Sequence, residues 1–232
     1  MNNNIINVAI DGPAGAGKST VARGAAKQLG YIYVDTGALY RAIGVNALRN
    51  GVDTKDKAAV AASLEAGVAA SLDGVKVNLV FENGEQKVML NGEDVSVEIR
   101  TPEASMAASD VSAVPEVRAF LFNLQRDIAK RNSCIMDGRD IGTVVLPQAQ
   151  VKIFLTASPE IRAERRYKEL IEKGSEVDYQ SVLDDIVKRD YNDSHREIAP
   201  LKPAEDSVLF DTTGLALDES VAAITKIIKE KI

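Results

Sequence analysis

Short apolar runs alternate with longer segments of helical periodicity along most of the chain. Five of these runs predict the strands of a buried sheet, at residues 5–10, 31–34, 134–136, 151–155 and 208–210. The segments between them carry apolar residues at helical spacing, and Val117, Leu121 and Leu124 are an example. Strands that alternate with helices are typical of a parallel sheet covered on both faces, so the pattern predicts an α/β fold.

One region departs from this alternation. Three short runs at 75–79, 87–90 and 95–97 are separated by turn signals at 82–85 and at Asn91-Gly92, which predicts a small antiparallel sheet. We therefore expect one domain with an insertion and a helical lid. Its parts are a core of about 1–60, 103–157 and 205–232, an insertion of about 61–102 and a lid of about 158–204.

The loop after the first strand has the form G-x-x-x-x-G-K-[ST], which is the phosphate-binding P-loop. Its residues are Gly12, Pro13, Ala14, Gly15, Ala16, Gly17, Lys18, Ser19 and Thr20. The glycines let successive backbone N–H groups surround a phosphate. Lys18 adds charge towards the β- and γ-phosphates, and the Ser19 hydroxyl is placed to ligate Mg²⁺. Asp11, Asp35 and Asp137 end three predicted strands, where ligands of such sheets bind.

A flexible glycine loop with a chance lysine is the alternative interpretation of this motif. It does not account for the flanks, because the loop follows a buried apolar run and opens a helix over about 21–29. Strand, glycine loop and helix in this order are the context that a phosphate-binding loop requires. We therefore predict that the chain binds a nucleoside triphosphate.

Two consecutive helices after the fourth strand carry clustered arginines. The polar residues that share a face are Arg162, Arg165 and Arg166 on the first helix and Arg189, Asp193 and Arg196 on the second. An isolated arginine face is usually no more than solvated. Because this chain also has a phosphate loop, we favour a mobile clamp that closes over transferring phosphates.

Composition narrows the classes of protein to consider. The 232 residues carry a formal net charge of −6, which disfavours a protein that binds nucleic acid through overall charge. Cys134 is the only cysteine and lies in an apolar run, so we expect a buried thiol and no intrachain disulfide. His195, the only histidine, is interpreted as a surface residue. We expect a cytoplasmic monomer without a signal peptide or membrane contact.

Several blocks of the chain together resemble the bacterial cytidylate kinases of the nucleoside monophosphate kinase group. The blocks are the phosphate loop, Asp35 to Arg41, the small inserted sheet, Glu98 to Thr101, Asp137 to Val145 and Arg189 to Pro200. The resemblance covers essentially the whole chain in order. One departure is Thr36, where the family often has serine, and this change retains the hydroxyl.

The resemblance implies transfer of a phosphoryl group from ATP to CMP or dCMP with Mg²⁺, and it implies residue roles. Ser109, Arg118 and Asp140 would read the cytosine; Arg41, Arg139 and Arg196 would hold the acceptor phosphate; Arg189 and Asp193 would contact the sugar. Arg162, Arg165 and Arg166 would lie in the lid over ATP, and Asp35, Thr36 and Tyr40 would add acceptor contacts. Lys18, Arg139, Arg165 and Arg196 would take part in the transfer itself.

Three other functions are compatible with parts of the sequence. A P-loop kinase could use AMP, UMP or a small metabolite as acceptor, but the insertion and Asp140 favour cytosine. A GTPase switch is disfavoured because no N-K-x-D guanine motif occurs in the chain. A nucleic-acid-binding protein is disfavoured because carboxylates are interspersed among the clustered arginines, as at Asp190 and Asp193.

Overall fold

Two sheets organise the part of the chain described by this computed structural model, residues 5–65, 74–82, 85–172 and 174–232. The strands are β1 Asn7–Asp11, β2 Ile32–Asp35, β3 Val77–Glu82, β4 Glu85–Leu90, β5 Glu93–Asp94, β6 Cys134–Gly138, β7 Val151–Thr156 and β8 Val208–Asp211. The helices are α1 Lys18–Leu29, α2 Thr36–Arg49, α3 Lys57–Glu65, α4 Pro102–Val111, α5 Pro115–Arg131, α6 Pro159–Glu172, α7 Tyr179–His195 and α8 Leu217–Lys231. The chain divides into two compact units, residues 1–33 with 132–232 and residues 34–131.

The larger sheet has five strands in the order β2-β6-β1-β7-β8. β1 is central: Ile10 lies opposite Asp137 of β6 and opposite Ile153 of β7, in parallel register on both sides. β7 in turn pairs in parallel with β8. The predicted fold class and the five core strands are confirmed, because each apolar run supplies one strand of this sheet.

The first unit buries its sheet beneath helices α1 and α8. Val8 and Ile10 of β1 pack in one cluster with Val21 of α1 and with Ile224 and Ile228 of α8, and all are nearly inaccessible to solvent. Cys134 is fully buried in β6, as expected, and burial raises the pKa of its thiol to about 12. Helices α6 and α7 pack through a smaller cluster of their own. The unit thus presents its strand ends from a rigid, close-packed base.

The second unit combines helices α2 to α5 with the smaller sheet. Leu39 and Ile43 of α2 are fully buried in a cluster that also takes in Leu121 of α5 and Val88 and Leu90 of β4. β4 pairs antiparallel with β3 and with β5. The antiparallel sheet was predicted from its turn signals, of which residues 83–84 lie outside the described residues. The alanine-rich residues 57–72 also predict a helix, and 66–72 of that range lie outside the described residues.

The third strand of this sheet was predicted at 95–97, and that position is wrong. Asn91 and Gly92 have φ values of 51° and 89°, as a two-residue type I′ turn requires, so pairing resumes at once and β5 is Glu93–Asp94. The Asp94 side chain then accepts a hydrogen bond from the backbone N–H of Ser96. This Asx-type turn ends the strand before the apolar residues that suggested it.

His195 is exposed, as expected, and stacks on Tyr191. Helix α5 begins at Pro115 and ends at Arg131, and α6 begins at Pro159 with Ser158 accepting a hydrogen bond from the backbone of Ile161. Among the described residues, every helix is too short or too polar to cross a bilayer.

Helix α2 packs against α4 so closely that Gly44 has no room for a side chain. A Cβ placed on Gly44 would lie 2.8 Å from the Cβ of Ala107. We expect Gly44→Ala to lower the free energy of unfolding by ~1–3 kcal/mol, as overpacking does. Urea unfolding measures this change, and Ala107→Gly in the same background should restore part of the loss. Strictly additive effects of the two substitutions would contradict the packing explanation.

Candidate active site

The phosphate loop rests directly on the sheet at its first glycine. Gly12 has φ 151°, and a Cβ built there would lie 1.9 Å from the carbonyl oxygen of Leu155 in β7. No other residue type fits this approach without displacing the strand. The start of the loop is therefore held against the strand neighbouring β1.

Two carbonyl groups of the loop accept hydrogen bonds from cationic side chains. The Nζ of Lys18 donates to the carbonyl oxygen of Pro13 at 2.7 Å, and the guanidinium of Arg162 donates to that of Ala14 at 2.9 Å. A trans peptide unit is planar, with its C=O and N–H pointing in opposite directions. Each bonded carbonyl therefore directs the next N–H, of Ala14 and Gly15, to the opposite side of the peptide. This arrangement is suited to binding an anion.

Lys18 is buried, with 6% of its surface exposed. Burial, together with the positive charge of Arg139, lowers the pKa of Lys18 from 10.5 to about 7, although the carboxylates of Asp137, Asp193 and Asp11 act in the opposite direction. Burial thus makes the charged ammonium form of Lys18 energetically costly. A polyanionic ligand would compensate that cost.

The Ser19 hydroxyl donates to Oδ2 of Asp137 at 2.8 Å, and the Tyr33 hydroxyl donates to Oδ1 of the same carboxylate at 3.2 Å. A hydroxyl beside one carboxylate is an all-oxygen donor set, which suits Mg²⁺. Among the described residues there is no cluster of three or more metal-ligating side chains. Magnesium at nucleotide sites commonly uses one or two protein ligands with the phosphates of the substrate, so the residues present fit this ion.

Asp11 fastens the turn that follows β6. Its two carboxylate oxygens accept the backbone N–H groups of Ile141 and Gly142 at 2.8 and 2.7 Å. Burial raises the pKa of Asp11 to about 6, against the lowering effect of these two hydrogen bonds. Residues Ile141–Val145 form a π-helical turn that the sequence analysis did not predict. The turn begins just after Asp140, so Asp11 fixes the backbone next to that predicted cytosine reader.

The first unit brings four predicted acceptor residues into two ion pairs. The Nε of Arg139 donates to Oδ2 of Asp193 at 2.7 Å, and the Nη2 of Arg196 donates to Oδ1 of Asp140 at 3.2 Å. Asp140 is buried, and Arg139 is partly exposed. Arg189, which lies one turn before Asp193 on α7, is exposed. Four of the predicted residues of this unit therefore form two ion pairs, each of one arginine and one aspartate.

The three arginines of α6 have different environments. Arg162 is 3% exposed and bonds to the carbonyl groups of Ala157 and Ala14 and to Asp190. Arg165 is partly exposed and donates to the hydroxyl and carbonyl oxygens of Thr212.

Arg166 pairs with Glu169 on its own helix. Of the two partly exposed arginines, Arg165 is the one placed near the phosphate loop, since its Nη1 would lie 3.9 Å from a Cβ on Gly17.

The second unit places its predicted residues at the start of α2 and on α4 and α5. Asp35 caps α2 by accepting the N–H of Ala38, and its other oxygen accepts a hydrogen bond from Arg41 at 2.8 Å. The Nε of Arg41 is buried and has no hydrogen-bond partner within the described part of the chain. An unsatisfied buried donor of a cation is suited to a further anionic partner.

The remaining predicted residues of this unit differ in burial. Thr36 is buried, whereas Tyr40, Ser109 and Arg118 are partly exposed. Ser109 lies on α4 and Arg118 on α5.

Comparison with known proteins identifies the family. The family model for cytidylate kinase matches residues 8–230. The cytidylate kinase of Caldicellulosiruptor bescii is 49% identical over 231 residues, covering 98% of this chain and 99% of that protein. That of Lactobacillus johnsonii is 51% identical over 229 residues, covering 99% and 96%. The chain belongs to the cytidylate kinase family.

A solved structure extends the comparison to the fold. An uncharacterized protein from Eubacterium ventriosum aligns with a TM-score of 0.51 at 13% identity, covering 97% of this chain and 98% of the other. At this identity the likeness concerns the fold alone. The predicted membership of the cytidylate kinase family is confirmed by the family model and by the two relatives.

Sequence reasoning missed several residues that organise the site of this cytidylate kinase family member. Asp190, Thr212 and Gln86 contact predicted residues through bonds that span long stretches of chain. Gln86 of β4 accepts the backbone N–H of Asp35 at 2.9 Å, from 51 residues away. No local pattern marks such a glutamine. Asp137 could be singled out because it ends a predicted strand, but no sequence pattern indicates its hydrogen bond with Ser19.

The lowered pKa of Lys18 makes stability depend on pH. Between pH 7 and 10.5 the unfolded chain binds a proton that the folded chain has lost, so this residue makes stability rise with pH over that interval. Lys18→Met removes the cost of the buried ammonium. We expect the ligand-free variant to be more stable than wild type at pH 6, and the difference to shrink by pH 10. The cost to the free energy of unfolding is ~1.4 kcal/mol for each unit by which the pKa of Lys18 differs between the folded and unfolded chains.

Urea unfolding across this pH range measures the difference. Lys27→Met is the matched control, since it removes an exposed lysine from the same helix. A Lys18→Met difference that is independent of pH would contradict the assignment.

Proposed function

We propose that this chain transfers the γ-phosphoryl group of ATP to CMP or dCMP, giving ADP and CDP or dCDP. The observation that carries the proposal is the phosphate loop with its buried Lys18, in a chain that matches the cytidylate kinase family over residues 8–230. A loop of inward N–H groups with a buried cation binds the phosphates of a nucleotide. The family match supports cytidylate as the acceptor.

The chemistry requires positioning and charge compensation more than proton transfer. The acceptor oxygen belongs to a phosphate that is already anionic at neutral pH, so no general base is needed. The difficulty is to bring two anions together and to stabilise the charge on the moving phosphoryl group. Arginine suits both tasks because its guanidinium is permanently charged and can donate two parallel hydrogen bonds.

We assign these tasks to arginines in both units. In the first unit, Arg139 and Arg196 are proposed to hold the acceptor phosphate and Arg165 to stabilise the transferring group. Arg139 and Arg196 each have a carboxylate partner that orients the guanidinium. In the second unit, Arg41 is proposed to bind phosphate, and its orientation by Asp35 supports this role. Lys18 is proposed to neutralise the donor phosphates.

Magnesium, when bound with the nucleotide, would neutralise part of the phosphate charge. Ser19 and Asp137 are the residues that would hold it, because their oxygens are within hydrogen-bond distance of each other beside the loop. Tyr33 donates to the second oxygen of Asp137 and thereby orients that carboxylate. The part of this chain is to present a hydroxyl and an oriented carboxylate.

Recognition of cytosine is assigned by its hydrogen-bonding edge. Cytosine offers an amino donor where uracil has a carbonyl, and a carboxylate accepts from such an amino group. In the first unit, buried Asp140 is proposed for this role. In the second unit, Ser109 and Arg118 are proposed as readers on the ground of the resemblance. Uracil would face a carboxylate without a proton between them, which leaves both groups unpaired.

The remaining assignments are also proposals. Arg189 and Asp193 would contact the sugar, Arg166 would contact the donor nucleotide, and Asp35, Thr36 and Tyr40 would support the acceptor. Partial exposure of Asp193 beside Arg139 is consistent with a ligand reaching both. We propose that the protein acts as a monomer in the cytoplasm on these small molecules, without nucleic acid as a partner.

An acceptor panel tests the proposal directly. With ATP and Mg²⁺, kcat/KM for CMP should exceed that for AMP and UMP by at least ~100-fold, because a polar site leaves groups unpaired with the wrong base. Asp140→Asn should lower the preference for CMP over UMP, since an amide can donate to a carbonyl. Asp184→Asn, an exposed change on α7, serves as control. Equal rates with AMP in the wild type would refute cytosine recognition.

The sugar assignment has its own test. Asp193→Ala removes the carboxylate that pairs with Arg139, so turnover should fall with both acceptors. If Asp193 also contacts the sugar, the loss should be larger for one of CMP and dCMP by roughly tenfold, the scale of one hydrogen bond to a charged group. Steady-state kinetics with both acceptors measure this ratio. Identical losses of turnover with CMP and dCMP would contradict the sugar contact and would leave the ion pair with Arg139 as the only role of Asp193.

A further inference from the structure

Arg162 has almost no capacity left to bind a ligand. Its Nε donates to the carbonyl oxygen of Ala157 at 2.8 Å, and its Nη1 donates to that of Ala14 and to Oδ1 of Asp190 at 2.9 and 3.0 Å. Its Nη2 donates to Oδ2 of Asp190 at 2.5 Å. These bonds use four of the five N–H groups of a guanidinium. The side chain is 3% exposed, so solvent hardly reaches it.

The partners of Arg162 come from three separate parts of the first unit. Ala14 is in the phosphate loop, Ala157 precedes α6, and Asp190 is on α7. The bond to Ala14 spans 148 positions of the chain and that to Asp190 spans 28. A residue with this pattern of contacts joins elements. A phosphate ligand instead needs exposed donors aimed at a cleft.

The bond to Ala14 has a direct consequence for the loop. Because the peptide unit between Ala14 and Gly15 is planar and trans, a carbonyl drawn towards Arg162 turns the N–H of Gly15 the other way. That N–H is one of the donors that a phosphate loop directs at its ligand. The angle of the donor therefore depends on the guanidinium behind it.

Packing reinforces this dependence. A Cβ on Gly15 would lie 3.3 Å from the Cβ of Arg162 and 3.8 Å from Ile186 of α7. Gly15 has φ 74°, so the loop meets both helices at a position that favours glycine. Asp190 lies one turn after Ile186 on the same helix and completes the contact.

We propose that Arg162 is a positioning residue for the phosphate loop, held in place by Asp190, and that it does not contact the nucleotide. This role differs from the direct contact with ATP that the family resemblance implies. It deepens the proposed function and rests on it, because it assumes that the loop binds the donor. Arg165, with its partly exposed head near Gly17, remains the arginine of α6 proposed to reach the transferring group.

Equilibrium binding separates the two roles. Loop N–H groups contact mainly the phosphates that ADP and ATP share, whereas a lid arginine would contact the γ-phosphate. We expect Arg162→Met to weaken binding of ADP and ATP by the same factor, on the order of tenfold. Calorimetry on the full chain without acceptor measures both affinities. A loss for ATP that exceeds the loss for ADP by more than about threefold would overturn the proposal.

A double-mutant cycle tests the part played by Asp190. Asp190→Asn should weaken both nucleotides as well, and the double variant should be no weaker than Arg162→Met alone, because both changes break one connection. Additive losses would overturn the connection. Lys168→Met is the control, since it removes a cation of α6 that pairs with Glu164 at the surface. Its affinities should equal those of wild type.

Thermal unfolding of each variant distinguishes the loss of this connection from a general loss of structure. Arg162→Lys is a milder change, because lysine keeps the positive charge but lacks the planar fork that bonds Ala14 and Asp190 together. We expect its nucleotide affinities to lie between those of wild type and Arg162→Met. Affinities equal to wild type would contradict the requirement for the fork. Failure of the proposed function would appear separately, as wild-type binding of ATP without transfer to CMP.

Discussion

A phosphate loop must point its N–H groups at the ligand, so its carbonyl groups have to be bonded on the other side. In this chain the carbonyl of Pro13 bonds to Lys18 and that of Ala14 bonds to Arg162. The Thr212 hydroxyl lies 3.4 Å from the carbonyl oxygen of Ala16. These contacts bring residues that are far apart in the chain together around the loop, from the start of α1, from α6 and from the residue that follows β8. A carbonyl left without a bond there would cost about as much as a lost hydrogen bond.

The loop and the residue before it also contain buried charge. Lys18 of the loop and Asp11 just before it are buried, and burial shifts their pKa values in opposite directions, down to about 7 and up to about 6. Both shifts mean that the charged forms are unfavourable in the protein without ligand. An anionic ligand would supply compensating charge for the ammonium of Lys18, though not for the carboxylate of Asp11. Stability is reduced locally so that binding is favourable.

The features that could be predicted from sequence are those with a local signature. The five core strands follow from apolar runs, and the loop from Gly12 to Thr20 is a contiguous motif with a physical meaning at each position. The prediction for the small sheet was wrong at its third strand, because the Asn91-Gly92 turn outweighs the apolar content of 95–97. Turn geometry fixes register more strictly than hydrophobicity does.

The unpredicted part of the site depends on contacts between distant residues. The sequence groups Arg162 with Arg165 and Arg166 because all three share a helix face. In the structure, Arg162 is the buried member of the set, and it bonds to residues 28 and 148 positions away. Helical spacing gives the direction of a side chain but not what lies there. The π-helical turn Ile141–Val145 likewise depends on Asp11, 130 positions earlier. These contacts exist only after the chain has folded.

The burial of Lys18 has a consequence for how nucleotide affinity responds to acidity. With a pKa of about 7, a large share of the free protein near neutral pH carries an uncharged amine at this position. A phosphate beside Nζ favours the ammonium form, so a ligand that enters the loop brings a proton with it. Hydrogen ion therefore acts as a second ligand of the loop. Heat measured on nucleotide binding would include the ionisation of whatever buffer supplied that proton.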